Sequence, residues 1–237
     1  MGRCPRLGAT TLSLIWIAAL IGGCGPGPAP PTLTRVGEPP VTPDLSGITV
    51  PSGQLLFQDD FSAANSGWEV FAEPEASAAY VDGEYVLRLN RAPLRAWGRL
   101  RGPTLPADLT ISVTVYPGAG AASGGYGVIC RFADDQHYYF FLITSASQFI
   151  IGKRSGGTQT GLSSPKFRPS DAILPGDTPN RLTTACVGNR LSLSVNTVPV
   201  AEVTDNEFPN GAVGLVAAAT RGEGLEARFD DVAINAP

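Results

Sequence analysis

The chain has 237 residues, a formal net charge of −4 at pH 7, 43% hydrophobic residues, 28 glycines and 21 prolines. An acidic balance argues against nucleic acid as a partner. A single histidine, His137, excludes a metal site built on several imidazoles, and four cysteines without a C-x-x-C spacing exclude the common zinc and dithiol centres.

Arg3 and Arg6 precede an apolar run from Leu12 to Ile21, which closes as Leu20-Ile21-Gly22-Gly23-Cys24. A basic start, a short apolar stretch and small residues before a cut make a secretory signal. A spanning helix needs about 20 apolar residues, which this run lacks. The segment resembles the lipobox of bacterial lipoproteins, with Ile21 at −3, Gly22 and Gly23 at −2 and −1, and Cys24 as the lipidated residue. That resemblance implies cleavage before Cys24, a thioether-linked diacylglycerol on its sulfur and usually a third acyl chain on the new amino group. The protein is then exported and held at a membrane, facing away from the cytoplasm. Each buried methylene contributes about 0.8 kcal/mol, and two chains suffice for stable anchoring. The competing readings of the run are an ordinary secretory signal and a short membrane anchor. Loss of residues 1–23 removes two arginines and no acid, which makes the mature chain more acidic still.

From Cys24 to Gly53 the chain is a proline-rich linker, with runs such as Pro26-Gly27-Pro28-Ala29-Pro30-Pro31. Such a stretch cannot bury enough apolar surface to fold and stays extended, at about 3.1 Å per residue, as a spacer. Beyond it, residues 54–237 read as one domain of short runs punctuated by glycine, proline, asparagine and aspartate. Strands are predicted over Leu55–Phe61, Glu84–Arg91, Leu109–Tyr116, Tyr126–Phe132, His137–Thr144, Gln148–Arg154, Leu191–Val195, Ala212–Ala219 and Leu225–Ile234. No helix of ordinary length survives this punctuation, so the predicted fold is all-β, an antiparallel two-sheet sandwich. Ser155 to Asn180 reads as a long loop rich in Gly, Ser, Thr and Pro that can rim a site.

Phe57-Gln58-Asp59-Asp60-Phe61-Ser62, Ser66-Gly67-Trp68 and Tyr80-Val81-Asp82-Gly83-Glu84-Tyr85 open a domain that resembles concanavalin A-like lectin/glucanase jelly rolls. The nearest branches are laminin-G-like modules and 3-keto-disaccharide hydrolase-like domains. His137-Tyr138-Tyr139-Phe140, Asn180-Arg181-Leu182 and the ending Ala227-Arg228-Phe229-Asp230-Asp231-Val232 agree with it. The resemblance implies that the first and last strands lie side by side. That fold hosts sugar binders, glycosidases and adhesion modules alike.

Glycoside hydrolysis needs two carboxylates on one surface. The sandwich glucanases place them as E-x-D-x-x-E on one strand, and that spacing is absent here; Glu73-Pro74-Glu75 is broken by proline. His137 is expected to be a polar residue at a strand edge. Pairing of the first and last strands would gather Asp59-Asp60 and Asp230-Asp231, and Asp60 with Asp231 are the candidate ligands of a structural Ca²⁺ ion; the alternative is that they cap turns. No other cofactor is implied. Arg95, Trp97, Arg99 and Arg101 alternate with Leu94, Ala96, Gly98 and Leu100, so a tryptophan stands among arginines on one face. Trp97 and Arg99, with Tyr139 and Phe141 from the Tyr138-Tyr139-Phe140-Phe141 run, are the candidate sugar-binding platform. The alternative is a solvated arginine face with Trp97 lying across it. Cys4 leaves with the signal and Cys24 takes lipid, so Cys130 and Cys186 are expected to form a disulfide if their strands are neighbours; the alternative is two buried thiols. The expected function is a lipid-anchored, non-catalytic binding module for a glycan or another envelope-surface ligand. A glycoside-active hydrolase of the 3-keto-disaccharide kind and a purely structural adhesion module are the rivals.

Overall fold

The computed structural model describes residues 53–222 and 224–237; Cys24, the signal and most of the linker lie outside them. Strands β1 (Leu55–Asp59), β2 (Phe71–Ala72), β3 (Ala76–Val81), β4 (Glu84–Leu89), β5 (Leu94–Arg99) and β6 (Leu109–Pro117) come first. After a single 3₁₀ turn at Ala121–Ser123 follow β7 (Gly124–Asp134), β8 (His137–Thr144), β9 (Gln148–Ser155), β10 (Thr158–Gly161) and β11 (Arg168–Pro169). The chain ends with β12 (Asn180–Val187), β13 (Arg190–Val195), β14 (Val198–Thr204), β15 (Ala212–Ala219) and β16 (Leu225–Asn235). No helix among the described residues is long and apolar enough to cross a membrane.

These strands form two antiparallel sheets. One has nine strands in the order β14-β13-β12-β6-β16-β4-β3-β2, with β1 also on β16; the other has seven, β10-β9-β8-β7-β15-β5, with β11 on β9. The first and last strands do pair, through Phe57 with Ile234 and Asp59 with Val232. The nine-stranded sheet follows simple alternation. Leu109, Ile111, Val113 and Val115 of β6 are buried while the residues between them are half-exposed, so one face packs inward and one is wet.

The seven-stranded sheet is different, because its strands are buried on both faces over most of β7, β8 and β15. The inner set, including Tyr126, Val128, Cys130, Tyr139, Phe141 and Leu215, belongs to the inter-sheet core. The outer set forms a second apolar cluster of its own. A bulge in β7 contributes to it: the three steps from Ile129 to Phe132 span the register that β15 covers in two, from Gly214 to Ala212, and Arg131 has a left-handed φ of 49°. The extra residue reverses the alternation and turns Phe132 to the outer face.

Cys130 and Cys186 are bonded, with a Cα–Cα separation of 6.9 Å. Their strands are not neighbours in a sheet, as the alternation suggested, but face each other: β7 lies in the seven-stranded sheet and β12 in the nine-stranded one. The long loop read from residue 155 to 180 is also more ordered than its composition implied. It carries β10 and β11, both paired with β9, and inserts Ile173 into the inter-sheet core.

Candidate functional site

The outer face of the seven-stranded sheet collects side chains from β5, β15, β7 and β8. Strand β5 presents Arg95, Trp97 and Arg99, and β8 presents Tyr138, Phe140 and Leu142. Between these strands β15 offers Val216 and Ala218, and β7 offers Gly125 and Gly127, then Ile129 and, past the bulge, Phe132. Three strand spacings, about 14 Å, separate β5 from β8. The side chains nevertheless meet. The Trp97 ring centroid lies 5.6 Å from that of Phe132 and 5.7 Å from that of Tyr138, and the Phe132 and Tyr138 rings stack at 5.5 Å.

Of the four residues predicted to form the platform, Trp97 and Arg99 stand on this face. Trp97 is only 5% exposed, because Phe132 and Tyr138 hold it within the cluster. It supports the surface more than it presents a ring to it. Tyr139 and Phe141 are on the wrong side: both are fully buried between the sheets. The Tyr139 hydroxyl donates to Asp205 Oδ1 at 2.6 Å and accepts from the Phe208 amide at 3.1 Å. Burial first, then the bond to Asp205, pushes this phenol up to about 12. The outward pair is Tyr138 and Phe140.

Four arginines ring the cluster, and they fall into two kinds. Arg99 and Arg101 are neutralised by Glu69, whose carboxylate is 2% exposed: Oε1 accepts from Arg99 Nη2 at 2.5 Å and from Arg101 Nη2 at 2.6 Å. The Arg99 guanidinium also lies 5.1 Å over the Phe132 ring. Arg99 is thus committed to Glu69 and Phe132. Arg95 and Arg154 have no such partner among the described residues. Arg95 Nη1 donates to the Tyr138 hydroxyl at 2.9 Å, and its guanidinium sits 5.9 Å from the Phe140 centroid. Arg154, the cross-strand partner of Tyr138, gives Nε to the Asp135 backbone oxygen at 3.1 Å and Nη2 to Gln136 Oε1 at 3.0 Å. Its Nη1 is buried without an acceptor among the described residues. Burial, with Arg95 adding to it, lowers the Arg154 guanidinium from its ordinary value against the opposing pull of Tyr138 and Asp135.

The other candidates lie elsewhere. His137 is a strand-edge residue: Nδ1 binds Asp134 at 2.8 Å, Nε2 accepts from the Gly156 amide at 3.2 Å, and the ring packs against Phe208. Glu73 and Glu75 sit in the β2–β3 connection, where Glu75 pairs with Arg91 at 2.8 Å. Asp60 and Asp231 are both exposed where β1 and β16 meet, and the Asp230 carboxyl is raised by burial first and then by Asp231, Glu84 and Asp60. The acidic pairs are therefore gathered as expected. Among the described residues, however, no three carboxylate, histidine or cysteine groups are arranged to hold an ion. Asp60 accepts from Ser62 across a turn, and Arg181 Nη1 reaches the Asp231 backbone oxygen at 2.6 Å.

No protein-family model matches the chain, and no curated protein matches its sequence. Solved structures do match it in shape. A GH43 protein, BlXynB, from Bacillus licheniformis superposes with a TM-score of 0.56 at 14% identity, over 76% of this chain and 39% of that one. A protein of unknown function with a galectin-like fold from Bacillus subtilis gives 0.55 at 13% identity, over 78% of this chain and 97% of that one. The catalytic domain of an endo-1,3-beta-glucanase (laminarinase) from Thermotoga petrophila gives 0.54 at 9% identity, over 78% and 98%. The fold is a concanavalin A-like jelly roll. In this jelly roll, Glu69, Phe132, Tyr138, Phe140 and Arg154 are among the residues of the outer face that sequence reasoning did not select. Only the alternation of β5, which already set Arg95 beside Trp97, carried a signal for any part of it.

Proposed function

We propose that the protein is an exported glycan-binding module, tethered through lipid on Cys24 and a proline-rich spacer, and that it binds its ligand on the outer face of the seven-stranded sheet. The observation that carries this reading is the convergence of Trp97, Phe132, Tyr138 and Phe140 with Arg95 and Arg154 on one face of the sheet. Aromatic rings bury the C–H faces of a sugar while guanidinium donors take its oxygens. The same jelly roll serves a laminarinase catalytic domain and a GH43 protein, which favours a glycan as ligand. Binding without hydrolysis is favoured because the buried carboxylate at this face, Glu69, is already neutralised by Arg99 and Arg101.

Two measurements test this. Screening the purified full chain against neutral and acidic polysaccharides should return binding with no release of reducing ends; a blank screen would leave the adhesion reading in its place. Replacing Cys24 by serine should shift the protein from the detergent phase to the aqueous phase, and unchanged partitioning would remove the lipid anchor.

A further inference from the structure

Two arginines on one face of this protein are buried and form no salt bridge among the described residues. Arg95 is 3% exposed and Arg154 is 6% exposed. A buried ion left unpaired is costly, and proteins ordinarily answer it with a carboxylate. Glu69 does so for Arg99 and Arg101 on the same face, whereas the hydrogen bonds of Arg95 and Arg154 among the described residues go to neutral oxygens: the Tyr138 hydroxyl, the Asp135 backbone carbonyl and the Gln136 amide. The carboxylate charge of Asp135 also acts on Arg154, which donates to the backbone oxygen of the same residue.

The donors share a neighbourhood. Tyr138 is hydrogen-bonded to Arg95 and is the cross-strand partner of Arg154, and both Arg95 and Tyr138 act electrostatically on Arg154. Because its oxygen accepts from Arg95, its own proton remains available to donate. Arg154 Nη1 is buried and has no acceptor among the described residues. Phe140 flanks Arg95, and the Trp97, Phe132 and Tyr138 rings continue the wall beside it.

We propose that Arg95, Arg154 and Tyr138 form a subsite for the carboxylate of a uronic acid unit. The assignment rests on the glycan reading above for the sugar and on the unpaired donors for the anion. A planar guanidinium fork matches a carboxylate, and a single negative charge answers what the fold leaves uncompensated. Entry of the anion displaces the Gln136 amide from Arg154, a neutral contact exchanged for a charged one.

The test uses the purified full chain and calorimetry against oligogalacturonate, oligomannuronate and heparosan oligosaccharides, each also in carboxyl-reduced form, with a sulfated galactan oligosaccharide and free galacturonate alongside. The expected result is binding of at least one uronate oligosaccharide that weakens at least about tenfold on carboxyl reduction, and as much in Arg95→Gln or Arg154→Gln. Arg190→Gln, on the exposed β13–β14 edge, is expected to bind like the parent. Should a variant fail to melt cooperatively, the acid-against-reduced comparison in the parent protein decides alone. Equal affinity for the acid and reduced forms overturns the subsite and leaves the glycan reading standing. Preference for the sulfated galactan overturns the carboxylate assignment. If no oligosaccharide binds, the glycan reading fails; the anion site then survives only if free galacturonate raises the melting temperature of the parent and not of the variants, and is overturned otherwise.

Discussion

Reducing the Cys130–Cys186 bond should lower the melting temperature by roughly 8–16 °C. The two cysteines are 56 residues apart in sequence, and closing a loop of that length removes about 4 kcal/mol of chain entropy from the unfolded state. For a domain of this size each kcal/mol shifts the midpoint by about 2–4 °C. The bond also ties the two sheets together, since it spans from β7 of one sheet to β12 of the other with both side chains fully buried. Thermal unfolding followed by circular dichroism, on oxidised protein and on protein reduced in denaturant and refolded with reductant, isolates the cross-link without changing packing. A Cys130→Ala/Cys186→Ala double variant should fall further, because it also empties core volume. A reduced protein melting within about 3 °C of the oxidised one would refute the entropic account and place the sandwich's stability in its core alone.

Two further outcomes follow from close contacts. At Gly98 an added Cβ would fall 1.6 Å from the Tyr85 hydroxyl, and that ring is hemmed by Phe61, Trp68 and Tyr80 while its hydroxyl donates to the Glu69 backbone oxygen at 2.5 Å. Gly98→Ala should therefore cost about 3 kcal/mol in denaturant unfolding, and Tyr85→Phe in the same chain should make the pair less than additive; simple additivity would deny the contact. Asp205 is pulled two ways: burial would raise its carboxyl, but hydrogen bonds from Lys153, Tyr139 and the Glu207 amide hold it below the ordinary 3.8. A carboxyl depressed in the folded state stabilises above that value and loses its contribution as pH falls through the lower folded value. The melting temperature of Asp205→Asn should accordingly change less than the parent's between about pH 4 and 2, and parallel curves would contradict the assignment.

Where one face of a strand is wet, the chain announced its own geometry. The alternation of Leu191, Leu193 and Val195 with serines gave β13 and its inward side, and the fold class with it. Strand β3 was invisible because Ala76, Ser77, Ala78 and Ala79 are poor strand formers and are held by β4 and β2. The site failed for a different reason. Tyr138, Tyr139, Phe140 and Phe141 are apolar on both faces of a strand buried on both faces, so periodicity cannot say which pair looks outward. The choice of Tyr139 and Phe141 fell on the core pair. Arg154 could not be joined to Arg95 from sequence, because their meeting at Tyr138 depends on the β8–β9 register.

The pairing of β1 with β16 also says something about how this sandwich can be used as a part. Its described ends are stitched together, the Gly53 amide to the Ala236 oxygen at 3.1 Å and the Ala236 amide to the Gln54 oxygen at 2.9 Å. Entry and exit thus share one corner, which is the geometry that lets a unit be spliced into a surface loop of an unrelated host without prising the host apart. Linking those ends through a few glycines and opening the chain instead at the exposed Gly188-Asn189 hairpin turn between β12 and β13 would give a permuted protein with the same two sheets and the arginine-lined face left whole.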